Sequence, residues 1–168
     1  MIRKKIKVWK RIPKFLKIEE LGNKEARKDD YYRLWVFDNE EEMYNTVDKV
    51  EKQKVERNYI GRCHCETKRY YLVDTETKEM EYIKTSPYCG DIFLLKSAIY
   101  QDVLSHETTH AVLGYFNRKI NKPEKIIYAD KLEENNISEE ADNYEELFCY
   151  MVGNIADEIL CILNAKEI

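Results

Sequence analysis

The sequence is short of glycine, proline and histidine. Five Gly and three Pro in 168 residues leave little room for long flexible linkers, so the chain reads as one ordinary domain, large enough to bury a real core. No segment approaches 18 uninterrupted apolar residues, and a membrane partner is not expected. The opening stretch, "MIRKKIKVWKRIPKF", is basic but has no apolar h-region and no small-residue cleavage site. The expected location is therefore the cytoplasm. The cysteines (Cys63, Cys65, Cys89, Cys149, Cys161) are five, an odd number, and free thiols in a reducing compartment are expected.

Acid is missing from one end. Residues 1–17 hold eight Lys/Arg and no Asp or Glu, whereas residues 129–168 hold eleven Asp/Glu and two Lys. The net charge of −4 hides two opposed ends. A basic arm can track phosphates, but more often it is a solvated face or pairs with the protein's own acids. The expectation is thus against nucleic acid as a partner. At 43% hydrophobic and 36% charged, the composition is that of a folded globular protein. Thirteen Tyr suit half-buried strand and helix faces and suggest no function by themselves.

Along the chain, "YYRLWVF" (31–37) reads as a strand. A helix follows, with Asp38 as N-cap, Glu41 three residues on, and Met43, Val47 and Val50 at helical spacing. "YIGRCHCE" (59–66), "RYYLVD" (69–74) and "EMEYIK" (79–84) alternate as strands, the last two joined by a turn. "TSPYCG" breaks the chain before a short apolar strand, "DIFLL" (91–95). A buried helix with one polar notch is predicted from about 98 to 117, then a polar connector. The last helix is predicted from about 143 to 164, with Asp142 and Glu145 spaced as a capping box. The order divides the chain into a basic segment (1–30), a strand-rich part with one helix (31–95) and two helices with their connector (96–168). The fold class is α+β.

Two of the three histidines fall in "LSHETTHAVLGYF", residues 104–116. Positions i and i+4 stack on one helix face, a spacing that lets His106 and His110 reach one tetrahedral Zn²⁺ at about 2.0–2.1 Å each. Glu107 is rotated away from the metal yet within reach of a water on it, where it can act as general base. Two histidines on such a helix with no metal would each need another partner. A third protein ligand is required. The longer pattern HExxHxxGxxH fails, because Gly114 is one place late and Phe116 cannot coordinate. No His lies downstream, and acids at the start of "NYEELFCYMVGNIADEIL" are the best candidates. On the helical wheel Glu145 and Glu146 are not separated.

The "HETTHAV … YEELFCYMVGNI" pair resembles the gluzincin-type, zincin-like metallopeptidases encoded by bacteriophages and mobile elements. In that group HExxHA is followed by a helix carrying Glu-x-x-x-Tyr-x-x-Gly, matched here by Glu146, Tyr150 and Gly153. The resemblance covers residues 91–160 at most. It implies a minimal zincin-like domain, in which a small mixed sheet packs on the HExxH helix and a C-terminal glutamate helix. It further implies one Zn²⁺ per chain held by His106, His110 and Glu146, with Glu107 as base. "DIFLL" would be the edge strand on which a protein or peptide substrate, of host or phage, is laid out by β-augmentation. The runner-up is a binding or inhibitor protein that keeps this scaffold without peptidase activity. "Cys63-His64-Cys65" places both sulfurs on one strand face and the imidazole on the other. These cysteines read as free thiols rather than as a second metal site, and Cys149 and Cys161 as core.

Overall fold

The computed structural model describes residues 1–9, 26–65, 70–73, 76, 80–84, 86–116, 119 and 139–165, with backbone alone for 70–73, 80–84, 101 and 139–146. The fold is α+β. A mixed four-stranded sheet is built from β1 (Ile2–Lys7), β2 (Tyr31–Phe37), β3 (Gly61–Cys65) and β6 (Tyr88–Leu95), in the order β1-β2-β6-β3. β1 and β3 run antiparallel to their neighbours, and β2 and β6 are parallel. β4 (Tyr70–Val73) and β5 (Met80–Lys84) form a separate antiparallel hairpin. The described helices are α1 (Glu40–Glu51), α2 (Gln101–Tyr115) and α3 (Glu139–Asn164).

The period of two along β2 sorts its side chains between two cores. Tyr32, Leu34 and Val36 join Ile92 and Leu94 of β6 beneath α2 and α3, against Ala111, Val112, Leu147, Met151 and Ile155. Trp35 and Phe37 point the other way with Phe93 and Leu95, and α1 covers them with Met43 and Val47. Trp35, Phe37 and Phe93 stack at centroid separations of 6.1–6.5 Å. Among the described residues α2 and α3 pack on one face of the sheet and α1 covers part of the other.

Several predicted boundaries move. α1 is capped by Asn39, not Asp38: Asn39 is extended and its Oδ1 accepts from Glu42 N at 2.9 Å, while Asp38 pairs with the N-terminal ammonium. Tyr88, Cys89 and Gly90, read as a break, belong to β6 as an irregularity in its pairing with β2. Gly90 has φ 147°, and a Cβ there would sit 2.0 Å from the His64 carbonyl oxygen, so no other residue fits. "DIFLL" is not an edge, since β6 lies between β2 and β3. α3 starts at Glu139, which puts Asp142 inside the helix and removes the predicted capping box. Most of the connector lies outside the described residues.

The segment Leu147–Asn164 is long and apolar enough, by length and composition, to cross a membrane. Its Leu147, Met151, Ile155 and Ile159 stripe is fully buried in the α2/α3 core, as in any core helix of a globular domain. Cys149 and Cys161, expected in the core, are exposed. β1 belongs to the sheet rather than to a loose arm: Ile6 and the following Val8 are fully buried, and α3 reaches the strand through Glu158, which accepts from Lys7 N at 3.1 Å.

Candidate metal centre

α2 carries "QDVLSHETTHAVLGY" with one flank under the sheet and another in solvent. Leu104, Glu107, Thr108, Ala111 and Val112 are buried, whereas His106 and His110 are exposed. The expected polar notch in a buried helix is thus an open imidazole pair beside a buried carboxylate. The two threonines of the motif need no outside partner. Thr108 Oγ1 donates to Leu104 O at 2.8 Å and Thr109 Oγ1 to Ser105 O at 2.7 Å, each hydroxyl turned back on its own helix.

The His106 and His110 Nε2 atoms lie 3.0 Å apart, with the rings edge to face. Two nitrogens bound tetrahedrally at about 2.0–2.1 Å from one zinc would be separated by roughly 3.3 Å. The pair therefore fits one small ion with a few tenths of an ångström of adjustment. Among the described residues no group of three His, Cys, Asp or Glu converges on a single point. The Glu146 side chain, the third ligand implied by resemblance, lies outside the described residues, as does that of Glu145.

Around α3 the described positions distinguish the two glutamates' arcs. Phe148, Val152 and Ala156 pack against the α2/α3 core, and the Phe148 ring meets Phe116 at 5.6 Å. Glu145 precedes these residues on the same arc. Cys149 and Gly153, on the arc of Glu146, face solvent, and a Cβ at Gly153 would meet nothing within 4 Å. The small residues there do not bring α3 onto α2.

Glu107 is only 5% exposed. Its side chain runs under β3, where a Cβ on Gly61 would come within 3.0 Å of Glu107 Cγ and 3.1 Å of its Oε1. Burial lifts its carboxyl above the ordinary value, and the nearby His106 and Arg62 pull it back in part. Arg62 is itself held on the far face of β3 by Glu51, with Nη2–Oε2 at 2.8 Å. Desolvation raises a carboxyl's proton affinity, which is how burial tunes a carboxylate general base, while the neighbouring cations oppose it.

Tyr32, which the sequence did not single out, and Cys65 and Gly114, which it named for other reasons, fix α2 against the sheet. Tyr32 donates its hydroxyl to Ala111 O at 2.7 Å, one residue past His110. Cys65 Sγ lies 3.8 Å from His110 O. Gly114 lets β3 come this close, for a Cβ there would be 2.1 Å from Cys65 Sγ. Cys63 and Cys65 share the α2 side with sulfurs 3.9 Å apart, and His64 faces Glu51 on the other side. No motif signals such contacts, because each joins residues distant in sequence.

No family model matches the chain, and neither a curated protein nor a solved structure shows significant similarity to it.

Proposed function

We propose that the protein is a zinc-dependent metallopeptidase with a zincin-like fold, cleaving a peptide bond in a protein or peptide of host or phage in the cytoplasm. The observation that carries the reading is the convergence of the His106 and His110 Nε2 atoms to 3.0 Å on an exposed flank of α2, with buried Glu107 between them in sequence. His106 and His110 would hold one Zn²⁺, with Glu146 as third ligand by resemblance. The ion, when bound, supplies Lewis acidity at the scissile carbonyl and lowers a water's pKa toward about 7.

The chain's own residues supply the rest. Glu107 accepts the proton of the attacking water and returns it to the leaving amine, so one carboxyl serves both halves of the reaction. Its raised proton affinity suits that return step. Gly61 keeps space for the Glu107 side chain, and Tyr32 with Cys65 holds the turn that carries His110. Among the described residues β3, rather than "DIFLL", is the antiparallel edge of the sheet that packs on α2, which supports a substrate strand laid along it. An added strand there pairs through its backbone, leaving selectivity to side-chain pockets.

The test combines metal analysis with Glu107→Gln. Wild type is expected to carry about one zinc per chain and to cleave proteins when expressed in cells, read by terminal proteomics. Glu107→Gln should keep the zinc and lose turnover, since only the proton acceptor is removed. Zinc absent from unchelated protein and not taken up on titration would overturn the metal site. Equal effects in cells for both forms would transfer the function to the inhibitor-protein reading.

A further inference from the structure

The α1 helix covers only one half of its sheet face, and the half it leaves open is cationic and aromatic. β1 places Arg3, Lys5 and Lys7 on this face, all exposed, directly across from Trp35, Arg33 and Tyr31 of β2. Like charges opposed across two strands, as Lys5 and Arg33 are, cost stability. Among the described residues no carboxylate pairs with Arg3, Lys5 or Lys7. Each of the first two instead lies over a ring, Arg3 at 4.6 Å from the Trp35 centroid and Lys5 at 4.1 Å from Tyr31. Arg33 sits 4.4 Å over half-buried Tyr88, and Tyr31 and Tyr88 are 6.0 Å apart.

Among the described residues the one acid on this part of the face is already matched. Asp91 is fully buried and accepts two bonds from Arg33, at 2.7 and 2.9 Å, and one from Trp35 Nε1 at 2.6 Å. Arg33 and Asp91 cancel, so Arg3, Lys5 and Lys7 leave a patch of three positive charges on a chain of net charge −4. Alternate residues of one strand form the row, at about 6.8 Å intervals along it.

We infer that this open half-face binds single-stranded nucleic acid, its phosphates along Arg3, Lys5 and Lys7 and its bases against Tyr31, Tyr88 and the Arg33 plane. A cationic track beside aromatic rings and guanidinium planes is the combination that holds unpaired strands without sequence readout. Among the described residues this half of the face is formed by strands β1, β2 and β6, a pleated surface rather than a helix that enters a duplex groove. The expectation against nucleic acid treated the first residues as a loose arm, whereas the sheet arranges three of their cations in a row beside two tyrosines.

The test is fluorescence anisotropy of the full chain with a labelled 12-nucleotide oligo-dT, over a range of salt. The same-length duplex, polyglutamate and phosphatidylserine vesicles serve as competitors. Wild type should bind the single strand, with log affinity falling linearly against log salt. Lys5→Gln and Arg3→Gln should each reduce that slope by about 0.7. Tyr31→Ala should weaken binding about fivefold or more at unchanged slope, and Tyr31→Phe should restore it. Failure to bind at low salt overturns the inference. So does equal competition by duplex, polyglutamate or vesicles, or a Tyr31→Ala variant that binds like wild type. Glu107→Gln leaves this face untouched and should bind as wild type does, so the result is independent of the peptidase reading.

Discussion

At the scale of single residues, two glycines decide where the candidate base and the second histidine stand. Gly61 leaves space for Glu107, and Gly114 lets Cys65 of β3 settle against α2. An alanine in a helix interior ordinarily gains up to about 1 kcal/mol over glycine. At Gly114 the new methyl would lie 2.1 Å from Cys65 Sγ, and overpacking of that kind costs about 1–3 kcal/mol. Gly114→Ala should therefore be net destabilising, read as a lower urea midpoint at unchanged slope. The double variant with Cys65→Ala should recover part of the loss, because the clashing sulfur is gone. Additive effects of the two changes would mean that β3 and α2 do not touch at this point.

Elements bear on which glutamate would complete the proposed metal site. The resemblance selects Glu146, four residues before Tyr150, and on that assignment Glu146→Ala should cut zinc affinity by about tenfold or more. The capping role that would have occupied Glu145 is gone, since α3 starts at Glu139 and Asp142 is inside it. Glu145 also precedes Phe148 and Val152 on the arc that packs into the core. Competition with a zinc chelator on Glu145→Ala and Glu146→Ala separates them. Loss of metal in Glu146→Ala alone supports the resemblance; loss in Glu145→Ala alone moves the ligand by one residue. α1 shows the same sensitivity of helix starts to local chemistry, where Asn39 rather than Asp38 captures the free N–H of Glu42.

For the whole molecule, the N-terminal residues are structural. β1 pairs along all of its length with β2, from Ile2 opposite Val36 to Lys7 opposite Tyr31. Burial of Ile6 and Val8 contributes about 1.5–3 kcal/mol for each side chain. Removal of residues 1–8 should lower the melting temperature by several degrees or prevent folding, which calorimetry reads directly. The milder Ile6→Ala should cost about 2–5 kcal/mol. A truncated chain that melts with the full-length protein would show that the strand is dispensable. Residues 2–7 thus serve two faces, with Ile6 in the core beneath α2 and α3 and Arg3, Lys5 and Lys7 on the open one.

Local periodicity made much of this legible. The alternation in "YYRLWVF" specified β2 at Tyr31–Phe37, the helical spacing of Met43 and Val47 specified the buried stripe of α1, and the HETTH run specified a helix with two adjacent imidazoles on one flank. Those features depend on residues within one or two turns of each other, where backbone geometry fixes neighbours. Other features depended on which segments meet. "DIFLL" and "GRCHC" are both short strands, and only the pairing of β6 with two partners made the first internal and left the second at the edge. The burial of Glu107 against Gly61, the grip of Tyr32 on the turn after His110, and the row of β1 cations beside Tyr31 and Tyr88 all join residues far apart in the chain. Such contacts arise when a sheet with its own order closes over a helix. The sequence by itself therefore determined the chemistry that α2 can offer, and the tertiary structure alone decided what surrounds it.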